Sequence, residues 1–335
     1  MRIGLIGAGR IGASHAEVVG GHPDVDELVV TDTLPGRAEA AAARLEVPAH
    51  VRATERLDDA FAADAVLIAA PTDTHAELIL RGVRAGVPVF CEKPVALDVG
   101  ETLRVRDAVT AARAFVHIGF QRRFDAGYAA ARDALATGAL GELHRVHMLT
   151  CDPAPPPAAY VPTSGGVFRD MLIHDFDALR WVTGREVAEV IALGANRGAA
   201  FFRDAGDADT VALLLRLADD TLVTVQGSRY NGAGYDVRME LAGTADTRVV
   251  GLTTHSPLTS AEPGTDFPEG PPWPDFWARF APAYRAEVAA FLAAVTGGAP
   301  SPCTVDEALE ALYVAEAADR SRRECRPVRL EEVRK

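Results

Sequence analysis

Three glycines near the start constrain this chain more than any other feature. RIGLIG (2–7) is a short β-branched run, GAGRIG sets Gly7, Gly9 and Gly12 in the spacing G-x-G-x-x-G, and a helical pattern follows from about Ile11 to Val19. Strand, glycine turn and helix in that order make a phosphate-binding corner. The first glycine permits the tight turn, the second lets backbone approach a pyrophosphate, and the third lets the helix sit close to the sheet. The N–H groups of the helix N-terminus then face the anion. Asp32 ends the next strand, ELVVTD (27–32), twenty residues beyond Gly12. A carboxylate there accepts hydrogen bonds from ribose hydroxyls and repels a 2′-phosphate, which favours NAD over NADP. The glycine spacing alone is a weak signal, because such a turn can also bind nothing; the surrounding strand, helix and acid give it weight. Arg37 could stack on adenine or tolerate a phosphate, and the sequence leaves that choice open.

Strands and helices keep alternating after this corner. An alanine-rich helix is predicted from Pro35 to Leu45, and AVLIAA (65–70) is a buried strand. THAELILRGVRAG (74–86) reads as a helix with Thr74 as N-cap, Glu77 as capping-box partner and Gly86 as its stop. VPVFCEKP (87–94) is a strand ending in a turn, Asp98 and Glu101 cap the helix after it, and AFVHIGF (114–120) is one more strand. This alternation predicts an α/β Rossmann domain over 1–120, a doubly wound parallel sheet with crossover helices. After about Gln121 come longer strands: LHRVHMLT (143–150), VAEVIALGA (187–195), TVALLLRLA (210–218), TLVTVQGS (221–228) and YDVRMELAG (235–243). They predict a C-terminal α+β domain over 121–335 with a large open mixed or antiparallel sheet. Residues 253–275, rich in proline and glycine, read as a loop. Helices at roughly 282–296 and 305–323, the second capped by Thr304 and Glu307, are available to pack back on the Rossmann domain.

Composition narrows the partners. At 335 residues, 48% hydrophobic and 24% charged, the chain has room for two ordinary globular domains. A net charge of −13 argues against a nucleic-acid partner, which needs a basic face. Cys91, Cys151, Cys303 and Cys325 lack metal-site spacing and read as reduced thiols, so no metal is expected. No uncharged apolar run approaches the roughly 18 residues of a membrane span. The strand pattern starts at the first methionine, with no signal peptide. The expectation is a soluble, cytoplasmic protein with no membrane contact.

Two further stretches carry chemistry. CEKP sets Glu92 and Lys93 at the C-terminal end of a parallel strand, where ligands of open α/β sheets bind; a surface Lys-Pro turn is the plainer alternative. RDMLIHDFD (169–177) places acids on both sides of a histidine inside an apolar run. If it is one helix, Asp170, His174 and Asp177 fall within roughly 60° of one another, opposite Leu172, Phe176 and Leu179. Asp170 and His174 would then be i, i+4 neighbours, able to bond and to raise the imidazole's basicity. A solvated helix face is the competing reading, and a metal site is disfavoured because no second histidine is well spaced.

These motifs together resemble the Gfo/Idh/MocA oxidoreductase family over nearly the whole chain, and its inositol dehydrogenase branch in particular. The resemblance rests on GAGRIG, PTDTHAELI (71–79), CEKP, GFQRRFD (119–125), CDPAPPPAAYVPTSGGVFRDMLIHDFDALRW (151–181), GDADT (206–210), GYDVRMELAG (234–243) and FAPAYRAEVAAF (280–291). It implies NAD-dependent oxidation of a ring hydroxyl of a cyclitol or sugar, foremost myo-inositol to 2-keto-myo-inositol. Lys93, Asp170 and His174 match the catalytic trio, Arg123, Asp177 and Tyr235 match substrate contacts, and Asp152 is expected to join them in bonding the remaining hydroxyls. The cofactor is assigned to Gly7, Gly9, Arg10, Ile11, Gly12, Asp32, Arg37, Pro71, Thr72, His75, Glu92, Lys93 and Gln121. Whether His174 or Lys93 takes the proton stays open here. The family also implies a homo-oligomer, dimer or tetramer, through the C-terminal sheet. The chain departs from the family pattern at Cys151 and in NGAGYD, both near the expected pocket, so the polyol is open. Competing activities are another sugar dehydrogenase or ketosugar reductase, an NAD-dependent glycosidase, or a non-catalytic NAD sensor.

Overall fold

The computed structural model describes residues 1–334 and separates them into two units. The first holds Met1–Gln121 with Pro282–Leu309; the second holds Arg122–Ala281 and the chain from Glu310 onward. The first unit runs β1 (Arg2–Ile6), α1 (Arg10–Gly20), β2 (Glu27–Thr31), α2 (Arg37–Ala42), β3 (His50–Thr54), α3 (Leu57–Phe61), β4 (Ala65–Ile68), α4 (His75–Ala85), β5 (Val89–Glu92), α5 (Val99–Ala112) and β6 (Val116–Gly119). All six strands are parallel, in the order β3-β2-β1-β4-β5-β6. Chain order reverses between β1 and β4, which opens a crevice at the strands' C-terminal ends. The short apolar strands suit burial on both faces. Ile3, Leu5, Leu28, Leu67 and Phe90 form a core with Val288, Phe291 and Leu292.

The second unit contains α6 (Ala126–Ala136), β7 (Leu143–Cys151), α7 (Gly166–Asp170), α8 (Ile173–Thr183), β8 (Val187–Ala195), α9 (Ala200–Asp204), β9 (Thr210–Leu217), β10 (Leu222–Ser228), β11 (Asp236–Gly243), β12 (Thr247–Val250) and β13 (Val328–Arg329). Two of the three unit boundaries fall inside the long helices α10 (Phe276–Gly297) and α11 (Val305–Glu324). Seven strands pair in the order β12-β11-β7-β10-β9-β8-β13. Only β7 and β10 run parallel, so the sheet is mixed. Alternation along β9 and β10 is strict: Val211, Leu213, Val223 and Val225 are buried, while Ala212, Leu214, Leu222, Thr224 and Gln226 face outward.

Several local expectations are corrected. The helix predicted over 35–45 shrinks to α2, because Gly36 in the left-handed region (φ 75°) keeps the preceding residues in a turn. Thr74 does not cap α4: its hydroxyl donates to Pro71 O at 2.7 Å, within a 3-10 turn over Thr72–Thr74, and Glu77 pairs with Arg84 instead. Gly86 does stop α4 in the left-handed region, and Thr304 and Glu307 do exchange capping bonds at the head of α11. α10 begins at Phe276 rather than 282. Asp275 accepts from Ala278 N at 2.8 Å and opens the helix, which runs on through Pro282.

RDMLIHDFD is not one helix. α7 ends at Asp170 and α8 begins at Ile173. Val167 O accepts from both Met171 N and Leu172 N, and Leu172 O then starts the new helix by accepting from Asp175 N and Phe176 N. The stagger turns the chain between Asp170 and His174. α8 is fixed to β7 by a buried cluster. Arg122 Nη1 donates to Asp175 Oδ1 at 2.8 Å and its Nη2 to Thr150 Oγ1 at 3.0 Å, while the Thr150 hydroxyl donates to Asp175 Oδ2 at 2.8 Å. Burial alone would lower the guanidinium's pKa; the Asp175 carboxylate holds it above its usual value. Arg122→Met would leave that carboxylate buried and unpaired, destabilising the protein by about 3–5 kcal/mol. Urea unfolding should register the loss, and the double variant Arg122→Met/Asp175→Leu should recover much of it.

Candidate functional site

The first unit supplies a dinucleotide corner. Gly7 has φ 95°, and a Cβ there would lie 2.6 Å from Ala69 O. A Cβ on Gly12 would lie 1.9 Å from Gly7 O, so only glycine lets α1 start so close to the turn. Gly9 differs: a Cβ there would meet nothing within 4 Å. The open space in front of Gly9 lets a ligand approach its backbone. No side chain caps α1, no acid occupies its first turn, and Arg10 and Ile11 open it, which leaves its positive end suited to a phosphate. Asp32 stands beside the turn. Its Oδ2 accepts from Ala8 N and its Oδ1 from Leu34 N, each at 2.8 Å, and Arg37 Nη1 lies 3.8 Å from Oδ2. Each oxygen keeps a lone pair for a ribose hydroxyl. Gln121 is 3% exposed, and its Oε1 is buried without a hydrogen-bond partner. The glycine cradle, the uncapped helix and the acid fit NAD.

At the end of β5 the Glu92–Lys93 turn is braced twice. His15 Nε2 lies 2.6 Å from Glu92 Oε1. Burial pushes the Glu92 carboxyl up, but the His15 hydrogen bond and the charges of His15 and Lys93 outweigh it and hold the pKa below its usual value. His75 is buried, with Nδ1 2.7 Å from Pro94 O and Nε2 2.9 Å from Ala70 O. Burial lowers its pKa, while the bonds to the Pro94 and Ala70 carbonyls act in the opposite direction. The His75 ring thus supports the Lys93–Pro94 turn. Pro71 and Thr72 begin the 3-10 turn that follows β4, the strand next to β1.

The second unit supplies a cluster of acids and arginines. Asp170 Oδ1 accepts from the Tyr160 hydroxyl at 2.9 Å and its Oδ2 from Arg229 Nη2 at 2.6 Å. Arg229 Nη1 donates to Asp152 Oδ2 at 3.0 Å. Asp207 Oδ1 accepts from Val167 N at 3.0 Å, which caps α7 from outside the helix. Within Met171–Leu179 only His174 is partly exposed; every other residue is buried. Its Nδ1 is buried, which leaves Nε2 as the nitrogen that can meet a ligand.

The geometry revises one expectation. Asp177 does not share an open polar face with His174: it is fully buried, and Arg123 grips it with Nε at 2.9 Å and Nη2 at 2.6 Å. Tyr235 is 6% exposed, lies edge-on to Phe276, and its backbone N–H donates to Trp273 O at 2.9 Å. No role was assigned from sequence to Arg229, Tyr160, Asp207 or the Arg122–Asp175 pair, since each bonds a partner ten or more residues away.

Gly9→Ala separates binding from folding. Its backbone (φ −70°) accepts alanine and its Cβ has room, so thermal melting should be unchanged. NADH affinity, followed by fluorescence titration, should fall about tenfold or more as the methyl group takes the phosphate's place. Gly12→Ala should instead lower the melting temperature.

Comparison with known proteins agrees with this geometry. Residues 1–120 match the family described as an oxidoreductase family with an NAD-binding Rossmann fold, and residues 128–248 match the GFO/IDH/MocA C-terminal domain. An inositol 2-dehydrogenase of Rhizobium meliloti (strain 1021) is 38% identical over 331 residues, covering 98% of this chain and 99% of that protein. The crystal structure of a putative myo-inositol dehydrogenase from Sinorhizobium meliloti 1021 superposes with a TM-score of 0.89 at 38% identity, covering 98% of this chain and 99% of the other. Scyllo-inositol dehydrogenase from Lactobacillus casei, solved with bound NAD(H) and scyllo-inositol, gives 0.86 at 28% identity, with 99% of each chain covered. The chain belongs to the Gfo/Idh/MocA family of NAD-binding oxidoreductases.

Proposed function

We propose that this protein is an NAD-dependent cyclitol dehydrogenase that oxidises myo-inositol to 2-keto-myo-inositol. The observation that carries this reading is the single partly exposed imidazole of His174 in an otherwise buried run, four residues beyond an aspartate gripped by Arg229 and Tyr160. Inositol dehydrogenases similar over nearly the whole chain support the substrate class.

When bound, NAD supplies the two-electron acceptor: one ring CH–OH becomes C=O, a hydride leaves as NADH, and a proton is released. His174 takes the hydroxyl proton at Nε2, a role suited to an imidazole near neutrality. Asp170 is the carboxylate assigned to offset the charge of the imidazolium that results. Lys93 donates to the reacting oxygen, and that interaction strengthens as alkoxide character grows. Asp152 and Tyr235 bond the other hydroxyls. Arg123 and Asp177, spent largely on each other, set the shape and charge of the pocket. A site built to pair hydroxyls rejects analogues that lack them.

The protein assembles as a dimer or tetramer through the open face of the second sheet, where Ile191, Leu193, Leu214 and Leu222 are exposed together. It works in the cytoplasm; among the described residues no helix is long and apolar enough to cross a membrane. Scyllo-inositol is the second candidate substrate, since a full-length structural neighbour was solved with it.

NADH absorbance across inositol isomers and hexoses, with NAD and with NADP, tests the reading. Myo-inositol with NAD should give the highest kcat/KM, and turnover of hexoses alone would overturn the substrate. His174→Ala should retain NADH binding while kcat falls by about 10²–10⁴-fold. Undiminished turnover in that variant would refute the mechanism.

A further inference from the structure

Asp170 is held by a residue far away in sequence. Arg229 directly follows β10 and Asp152 directly follows β7. These strands are the parallel neighbours, with Ser228 opposite Cys151, so the next residue on each comes alongside the other, and Asp152 N donates to Ser228 O at 2.9 Å. Arg229 is 5% exposed. Its root is fixed as well: Arg229 N donates to Asp209 O at 2.7 Å, and Asp209 Oδ2 accepts from Arg197 N at 2.8 Å and Gly198 N at 2.7 Å. From this anchored backbone the guanidinium spans two carboxylates, reaching Asp152 at 3.0 Å and Asp170 at 2.6 Å. Tyr160 holds the other Asp170 oxygen. The bridge is costly to build, because a desolvated cation must be repaid by well-made bonds. It also keeps two like charges from repelling each other.

We propose that Arg229 is a positioning residue for the dehydrogenase reaction: by bridging Asp152 and Asp170, with Tyr160 on the second Asp170 oxygen, it fixes the carboxylate that serves His174. It does so from a buried position. The inference rests on the roles given above to Asp170 and His174. A planar fork can serve two carboxylates at once, whereas an ammonium concentrates its charge at one point. Lysine should therefore replace Arg229 only in part.

The test uses the full-length protein with NAD and the cyclitol that the wild type turns over. Arg229→Met should lower kcat by about 10²-fold, the scale of loss when a reacting group is misplaced by an ångström. KM for NAD should not move. Deuterium at the reacting ring carbon should slow the variant more than the wild type, because the chemical step becomes limiting. Arg229→Lys should recover about tenfold of the loss, as expected when one charge-assisted bond of two is regained. Tyr160→Phe removes only a hydroxyl from a ring that is 43% exposed, so it should fold normally and lose kcat with little change in KM for the cyclitol.

Wild-type kcat in Arg229→Met, or a loss confined to KM for the cyclitol, would overturn the proposal; the latter would make Arg229 a substrate contact. Should Arg229→Met fail to fold, Arg229→Lys and Tyr160→Phe decide, and wild-type kcat in both would overturn it equally. These outcomes are distinct from failure of the function itself. No cyclitol turnover by the wild type, or full turnover by His174→Ala, would remove that reading and this inference together.

Discussion

The second unit depends on neutralising the acids that α8 carries into an apolar interior. Asp175 and Asp177 are both fully buried, and two consecutive arginines, Arg122 and Arg123, take one each. At 100° per residue the two acids point about 200° apart around the helix, so the arginines grip α8 from opposite sides. Rotating the helix by one residue would strand both carboxylates, at several kcal/mol each. The pairs thus set the helix's angle about its own axis. His174 falls between the two acids around that axis, which is why it is the residue presented outward. Buried ion pairs often add little net stability, and here their clearer effect is to fix one orientation.

The first unit uses the same economy of parts. Asp32 is the acid that suits a ribose, yet it also bonds the backbone N–H of Ala8 in the glycine turn and of Leu34 beyond β2. One carboxylate therefore ties the phosphate corner to the ribose end of the cofactor path. Glu92 and His75 do comparable work for the Lys93 turn: a carboxylate held by His15 precedes it, and an imidazole holds the Pro94 carbonyl that follows it. A side chain that must meet a reacting oxygen gains precision when the backbone on both sides of it is tied down.

Much of this was legible in the sequence. The glycine spacing, the alternation in the first third and the strict two-residue periodicity of TVALLLRLA and TLVTVQGS all encode burial directly, and the strands appear where those patterns place them. β3, β12 and β13 were missed because they are short edge strands: β12 is largely exposed, β13 has two residues, and β3 offers only Val51 and Ala53 as an alternating pair. The break in RDMLIHDFD was invisible for a different reason. Periodicity assumes continuity, and nothing local in Met171–Leu172 announces that Val167 O will accept two N–H groups. Asp177 was misread because a charge on a helix suggests solvent until its partner is known, and Arg123 lies 54 residues away.

The remaining cluster is encoded in strand register. Asp152 and Arg229 lie 77 residues apart and meet only because β7 and β10 are parallel and aligned at Cys151 and Ser228. A one-residue shift of either strand would turn its own side chain to the opposite face, away from its partner. Cys151 occupies the rung just before the cluster and is buried. Burial, with Asp236 and Asp152 close by, pushes its thiol up to about 12, so it stays neutral at physiological pH. A neutral sulfur on that rung adds no third anion beside Asp152 and offers Arg229 no competing partner.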